Sequence, residues 1–137
     1  MSERSASGSR AVPRGAAGRR IATDRERLGR LGEDAAAAWY LEAGFEVVDR
    51  NWRVREGELD LIVRRGGLLV MCEVKTRSSA RFGSPIESID RRRLARLRRL
   101  FGRWLAEHQP VAQRLRCDLA MVDQHGNVEV LEGGLDP

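Results

Sequence analysis

Apolar residues recur at helical spacing in the segment that begins at Thr23, where Leu28, Leu31, Ala35, Ala38 and Trp39 fall along one face of TDRERLGRLGEDAAAAWYLEAG. Thr23 and Glu26 stand at the spacing of a capping box, and Gly44 supplies a stop. These features predict a first helix. The period then shortens. FEVVDRNWRV has the β-branched and aromatic content of a strand, and GELDLIV and LLVMCEVK, on either side of RRGG, predict the arms of a hairpin. After a loop carrying Gly83 and Pro85, Ser88 is expected to cap a second helix. There Leu94, Leu97, Leu100, Phe101, Trp104 and Leu105 form an apolar stripe opposite Arg92, Arg96, Arg99 and Arg103, and Pro110 bars continuation. RLRCDLAMV and NVEVL, joined by a DQHGN turn, predict two further strands. The expected order is α, three β, α, two β.

Residues 1–22 carry almost no large apolar side chains and are expected to form a disordered basic tail, leaving 23–137 as the domain. A chain of 137 residues suits one small domain. A net charge of +5 and a pI near 10.4 favour a polyanionic partner, although an excess of arginine equally serves solubility, so placement must discriminate. Cys72 and Cys117 sit in apolar strand-like runs without the close pairing of zinc or redox motifs, and are expected to be small buried hydrophobes. No run approaches the ~20 apolar residues that span a bilayer, and the N-terminus lacks the apolar block of a secretory signal. The expectation is a cytoplasmic protein with no membrane partner.

The hairpin sets carboxylates among apolar residues. A Gly66-Gly67 turn pairs Arg65 with Leu68, and counting outward places Asp60 opposite Glu73 and Glu58 opposite Lys75, all four on one face. The other face, Leu59, Leu61, Val63, Val70, Cys72 and Val74, is expected to be core. Directly opposed carboxylates cost ~0.2 to 1 kcal/mol on an exposed face and more when buried. A hard divalent cation such as Mg²⁺, which prefers carboxylate, carbonyl and water oxygens, offsets that cost. Lys75, the only lysine in the chain, stands two residues beyond Glu73. From there it is placed to orient or deprotonate a water and to stabilise charge building on a phosphate. Taken alone, the hairpin better fits a solvated face with a Glu58–Lys75 ion pair and a tolerated Asp60.

Asp60 followed by Glu73-Val74-Lys75, in a hairpin after a first helix, resembles the PD-(D/E)xK nuclease superfamily, which carries an acidic residue and then Glu-x-Lys on adjacent strands. More closely, the chain is similar to the YraN family of predicted endonucleases, related in fold to archaeal Holliday junction resolvases. GRLGEDAA around Glu33, RNWR at Arg50 to Arg53, GELDLIV, EVKTR and the FGSP loop carry this likeness, which spans roughly residues 24 to 122. The resemblance implies an α/β, restriction endonuclease-like αβββαβ core with a mixed central sheet flanked by helices and an additional C-terminal strand. It further implies an endonuclease that hydrolyses phosphodiester bonds in DNA, branched or structured forms included, with Mg²⁺ as cofactor and Mn²⁺ able to substitute. Asp60, Glu73 and the Val74 carbonyl would bind metal, helped by Glu33, while Lys75 positions the attacking water. Asp60 is preceded by Glu58 and Leu59 rather than by proline, as is common in resolvase-like branches. Those relatives pair subunits to cut two strands, so a homodimer belongs to the same expectation. The competing class is a noncatalytic nucleic-acid-binding or assembly module; the intact Asp60, Glu73 and Lys75 favour the enzyme.

Arg53, Arg55, Arg77, Arg81, Arg92, Arg96 and Arg99 are candidates for holding phosphates around the site, a task that suits the planar guanidinium. A charge-rich helix face is as often simply solvated. Trp39, Trp52 and Trp104 are expected to pack, with Trp52 having the best claim to stack a base. His108 and His125 receive no catalytic role. Ser78, Ser79 and Ser84 lack a histidine base, and no glycine-rich phosphate cradle is present, so ATP hydrolysis is not indicated.

Overall fold

A computed structural model describes residues 21–77 and 89–137. Residues 1–20 of the expected tail lie outside the described residues, as do the Gly83–Pro85 loop, Ser78, Ser79, Arg81, Ser84 and Ser88. The elements are α1 (Asp24–Glu42), β1 (Glu46–Val54), β2 (Gly57–Arg65), β3 (Leu68–Arg77), α2 (Arg91–His108), β4 (Arg114–Asp123) and β5 (Val128–Leu131). They build an α/β fold with a five-stranded sheet in the order β1-β2-β3-β4-β5. All neighbours are antiparallel except β3 and β4, which run parallel and are joined through α2. This matches the restriction endonuclease-like core expected from the motifs. No helix among the described residues is long and apolar enough to cross a membrane.

Two helices sandwich the sheet. On one face Ala36, Ala37 and Tyr40 of α1 pack with Leu61, Val63, Val70, Cys72 and Ala120. On the other, Leu97, Leu100, Phe101 and Trp104 of α2 pack with Leu59, Ile62, Leu69, Met71 and Leu119. The expectation of a single hairpin core face therefore needs correction. Both faces are apolar, and Leu59 lies on the α2 side while Leu61 and Val63 lie on the α1 side. The β2–β3 ladder runs in the expected register from Arg65–Leu68 to Leu61–Cys72 and stops there, whereas β2 stays paired with β1 as far as Val54–Gly57.

Helix α1 opens on the expected capping box of Thr23 and Glu26, but its buried face is not the expected one. Gly32, Ala36, Ala37 and Tyr40 are buried, while Leu31 and Ala38 are exposed. Small residues let the helix approach closely: a Cβ on Gly32 would stand 2.1 Å from Oγ1 of Thr76. Tyr40 completes the contact by donating its hydroxyl to the fully buried Asp118 at 2.6 Å. Asp118 is also held by Nε of Arg116 at 2.8 Å and by the backbone N–H of Gly133 at 2.8 Å, so this carboxylate is satisfied within the fold. Cys72 and Cys117 are free thiols in the core, as expected.

Helix α2 begins two residues later than expected. Its N-cap is Asp90, which accepts the N–H of Arg93 at 2.8 Å, and the expected cap Ser88 precedes it. Its apolar stripe is as expected, and Gln109 closes it in the left-handed conformation before Pro110.

Candidate functional site

Beyond the end of the β2–β3 ladder, the carboxylates of Asp60 and Glu73 converge. Asp60 accepts the backbone N–H of Val74 at 2.9 Å and lies close enough to Glu73 to share a hydrogen bond. It is the amide of Val74 that touches Asp60, whereas the carbonyl was the expected metal donor. Burial, the charge of Glu73 and, more distantly, that of Glu33 push the Asp60 carboxyl up to about 8, against the hydrogen bond from Val74. Both residues open into a cleft of about 350 Å³ lined by Glu56, Gly57, Glu58, Asp60, Glu73, Arg93, Arg96 and Leu97. The floor is acidic and the wall on α2 is basic. The wall comes close because Leu100 of α2 packs over Gly57, where an added Cβ would meet its Cδ1 at 3.0 Å.

Glu33 approaches Glu58 and Asp60 from α1, out of a neighbouring pocket that it lines with Asn51 and Arg53. One carboxylate oxygen each from Glu33, Glu58 and Asp60 lies within 4.8 Å of the others. Partial burial raises the Glu33 carboxyl, while a hydrogen bond with Asn51 and the charge of Arg50 act in the opposite sense. Asn51 takes a left-handed φ of 52° within β1, a conformation asparagine tolerates better than most residues. The donor set fits a hard divalent cation: every side chain is a carboxylate, and one of them is held uncharged to a higher pH than usual by burial and by its neighbours.

The remaining expected residues divide. Lys75 is half-buried on β3 two residues past Glu73 and pairs in register with Met121. The Glu58–Lys75 ion pair of the solvated-face reading is not formed; Glu58 sits opposite Arg53 in the β1–β2 ladder and bonds it at 3.2 Å. Arg55 is exposed in the β1–β2 turn, and Arg77 is half-buried at the end of β3. Arg92, Arg96 and Arg99 are exposed on α2, and of these Arg96 lines the cleft. Trp52 packs against the α2-side core, and Trp104 is buried with its indole N–H on Asp49 at 2.8 Å. His108 stacks on Trp104 and His125 lies in the β4–β5 turn; neither lines the cleft.

Sequence reasoning missed Arg93, whose Nε and Nη2 both donate to Oε2 of Glu73, the former at 2.9 Å. A signal was available: Arg93 precedes Leu97, Leu100 and Trp104 by 4, 7 and 11 positions, so it occupies the apolar stripe of α2. An arginine there needs a buried anion. The roles of Glu58 and Asn51 were also missed, the first because it was paired with Lys75, the second because a left-handed backbone in a strand leaves no mark in the sequence.

The family model described as uncharacterised protein family UPF0102 matches residues 32–122, a span that takes in Glu33, Asp60, Glu73, Lys75 and Arg93. A UPF0102 protein from Frankia casuarinae is 52% identical over 100 residues, covering 73% of this chain and 85% of that protein. One from Beutenbergia cavernae is 52% identical over 98 residues, covering 72% and 83%. One from a Parafrankia species is 48% identical over 107 residues, covering 77% and 91%.

Proposed function

Because the chain belongs to the UPF0102 family, the one its motifs resembled under the name YraN, and carries the acidic cleft of that matched span, we propose that it is a metal-dependent endonuclease hydrolysing phosphodiester bonds in DNA, branched or structured forms included. The observation that carries this reading is that Asp60, clustered with Glu33 and Glu58, opens together with Glu73 into a cleft walled by Arg93 and Arg96. A cleft with a cation-holding floor and an anion-holding wall is what a phosphodiester bound through a divalent ion requires.

Asp60, with Glu73, Glu33 and Glu58, would hold Mg²⁺ or Mn²⁺. When bound, such an ion supplies Lewis acidity to a phosphoryl oxygen and a more acidic water. Glu33, braced by Asn51, fixes the side of the site nearest α1. Arg96 holds a neighbouring phosphate, its planar fork suited to that geometry. Lys75 orients the attacking water and offsets charge that builds on the phosphate.

The test is incubation with labelled linear, single-stranded, flap and four-way DNA in Mg²⁺ or Mn²⁺. Wild type should cut at least one substrate. Asp60→Asn and Lys75→Ala, both folded by circular dichroism, should lose cleavage by orders of magnitude, since each ~1.4 kcal/mol of lost transition-state stabilisation is tenfold in rate. Binding without cleavage by the wild type on every substrate would instead support a noncatalytic nucleic-acid module. Full cleavage by both variants would remove these residues from the chemistry.

A further inference from the structure

The Glu73–Arg93 pair is asymmetric. The side chain of Glu73 is 1% exposed, whereas that of Arg93 is 39% exposed and faces the cleft. The carboxylate is fixed in the sheet; the guanidinium reaches it from the first turn of α2. A carboxylate buried this deeply and beside Asp60 is strongly unfavourable without a positive partner, and Arg93 is that partner. The Nε–Nη2 edge that binds Glu73 is one of the two edges with which arginine can grip a phosphate, and while it holds Glu73 that edge is not open to one.

We propose that Arg93 is an exchangeable counter-ion: bound to Glu73 in the metal-free protein, it passes its fork to a phosphate of the nucleic acid when a divalent cation takes over Glu73. This rests on the reading of the cleft as a cation and phosphate site. The exchange makes cation and nucleic acid bind cooperatively through one side chain. Because linkage is reciprocal, each must tighten the other by the same factor, and couplings of this kind span about 5- to 150-fold.

The test is calorimetric titration of Ca²⁺ into the full chain, with and without a short DNA duplex, and of the duplex with and without Ca²⁺. In the wild type each ligand should tighten the other by at least about fivefold. Arg93→Gln removes the competitor for Glu73, so Ca²⁺ alone should bind more tightly than to wild type, while the mutual tightening should fall severalfold. Arg93→Lys keeps the charge without the fork; it should bind Ca²⁺ alone much as wild type does yet also lose coupling, and it carries the test should the glutamine variant melt below the working temperature. Weaker Ca²⁺ binding by Arg93→Gln both with and without DNA would make the pair a structural brace and overturn the proposal. So would unchanged coupling in both variants, although the cleft would then still stand as the binding site. If the wild type binds no Ca²⁺, or binds it with the affinity of Asp60→Asn, the cleft reading itself fails and the exchange fails with it.

Discussion

At the scale of single residues, Asp60 carries the largest electrostatic tension in the site. Its carboxyl is raised to about 8, first by burial and then by Glu73, so the folded protein binds a proton there that the unfolded chain has released. The sign follows. For a carboxyl raised in the folded state, the stabilising contribution is fully present below the unfolded value near 4 and is lost as pH rises toward 8. Asp60→Asn keeps an oxygen to accept the Val74 N–H and removes the titration. In EDTA, the stability of this variant relative to wild type should therefore increase between pH 5 and pH 8, by at least about 1.4 kcal/mol, the equivalent of one pKa unit. That corresponds to a gain of roughly 4 °C in Tm for a domain of this size. Adding Ca²⁺ at pH 8 should raise the melting temperature of the wild type and leave the variant nearly unmoved. Melts at the two pH values decide the matter, and a difference that stays flat with pH would mean that Asp60 is already relieved by something other than a proton.

At the scale of elements, the position of Glu33 depends on how closely α1 lies on β3. Helix propensity alone makes Gly32→Ala favourable by about 1 kcal/mol. The structure reverses that sign, because the new methyl would lie 2.1 Å from Oγ1 of Thr76 and 3.0 Å from its Cγ2, and overpacking of this kind costs typically about 1–3 kcal/mol. Gly32→Ala should thus lower the Tm and, by lifting α1, weaken Ca²⁺ binding through Glu33. Thr76→Ala removes both of those contact atoms, so in the double variant a large part of each loss should return. Two independent, additive losses would sever the link between helix approach and the site. Much of this architecture was legible beforehand. Gly66-Gly67 set the hairpin register, Thr23 with Glu26 marked the start of α1, and Asp60, Glu73 and Glu33 were named from motif and spacing. The buried face of α1 was not, since four consecutive alanines, Ala35 to Ala38, specify no side; Gly32 and the distant Tyr40–Asp118 bond decide it. The end of the β2–β3 ladder was hidden because β2 is apolar on both faces there. Arg93 was not named, although its spacing put it on the buried stripe.

At the scale of the whole molecule, a net charge of +5 says less than where that charge is left uncompensated. Arg50 is paired with Asp34, Arg53 with Glu58, and Arg103 with both Glu56 and Glu107. Arg92, Arg96 and Arg99 have no carboxylate partner among the described residues, and Arg96 joins them to the cleft. On the proposed function, the exposed face of α2 is a surface on which a polyanion would release its counter-ions without displacing a protein carboxylate. Each duplex phosphate so neutralised contributes about 0.9 to the slope of log affinity against log salt. Replacing Arg92, Arg96 and Arg99 together by glutamine should flatten that slope by roughly 1 to 3, with the loss of affinity largest at low salt. Arg103→Gln is the control: its charge is already spent on Glu56 and Glu107, so the slope should barely change. Fluorescence anisotropy of a labelled duplex across a salt series measures both. A triple variant with the wild-type slope and affinity would reduce this face to a solvated one and move the nucleic-acid surface to the opposite side of the sheet; an equal effect from Arg103→Gln would show that binding reads bulk charge rather than the uncompensated arginines beside the cleft.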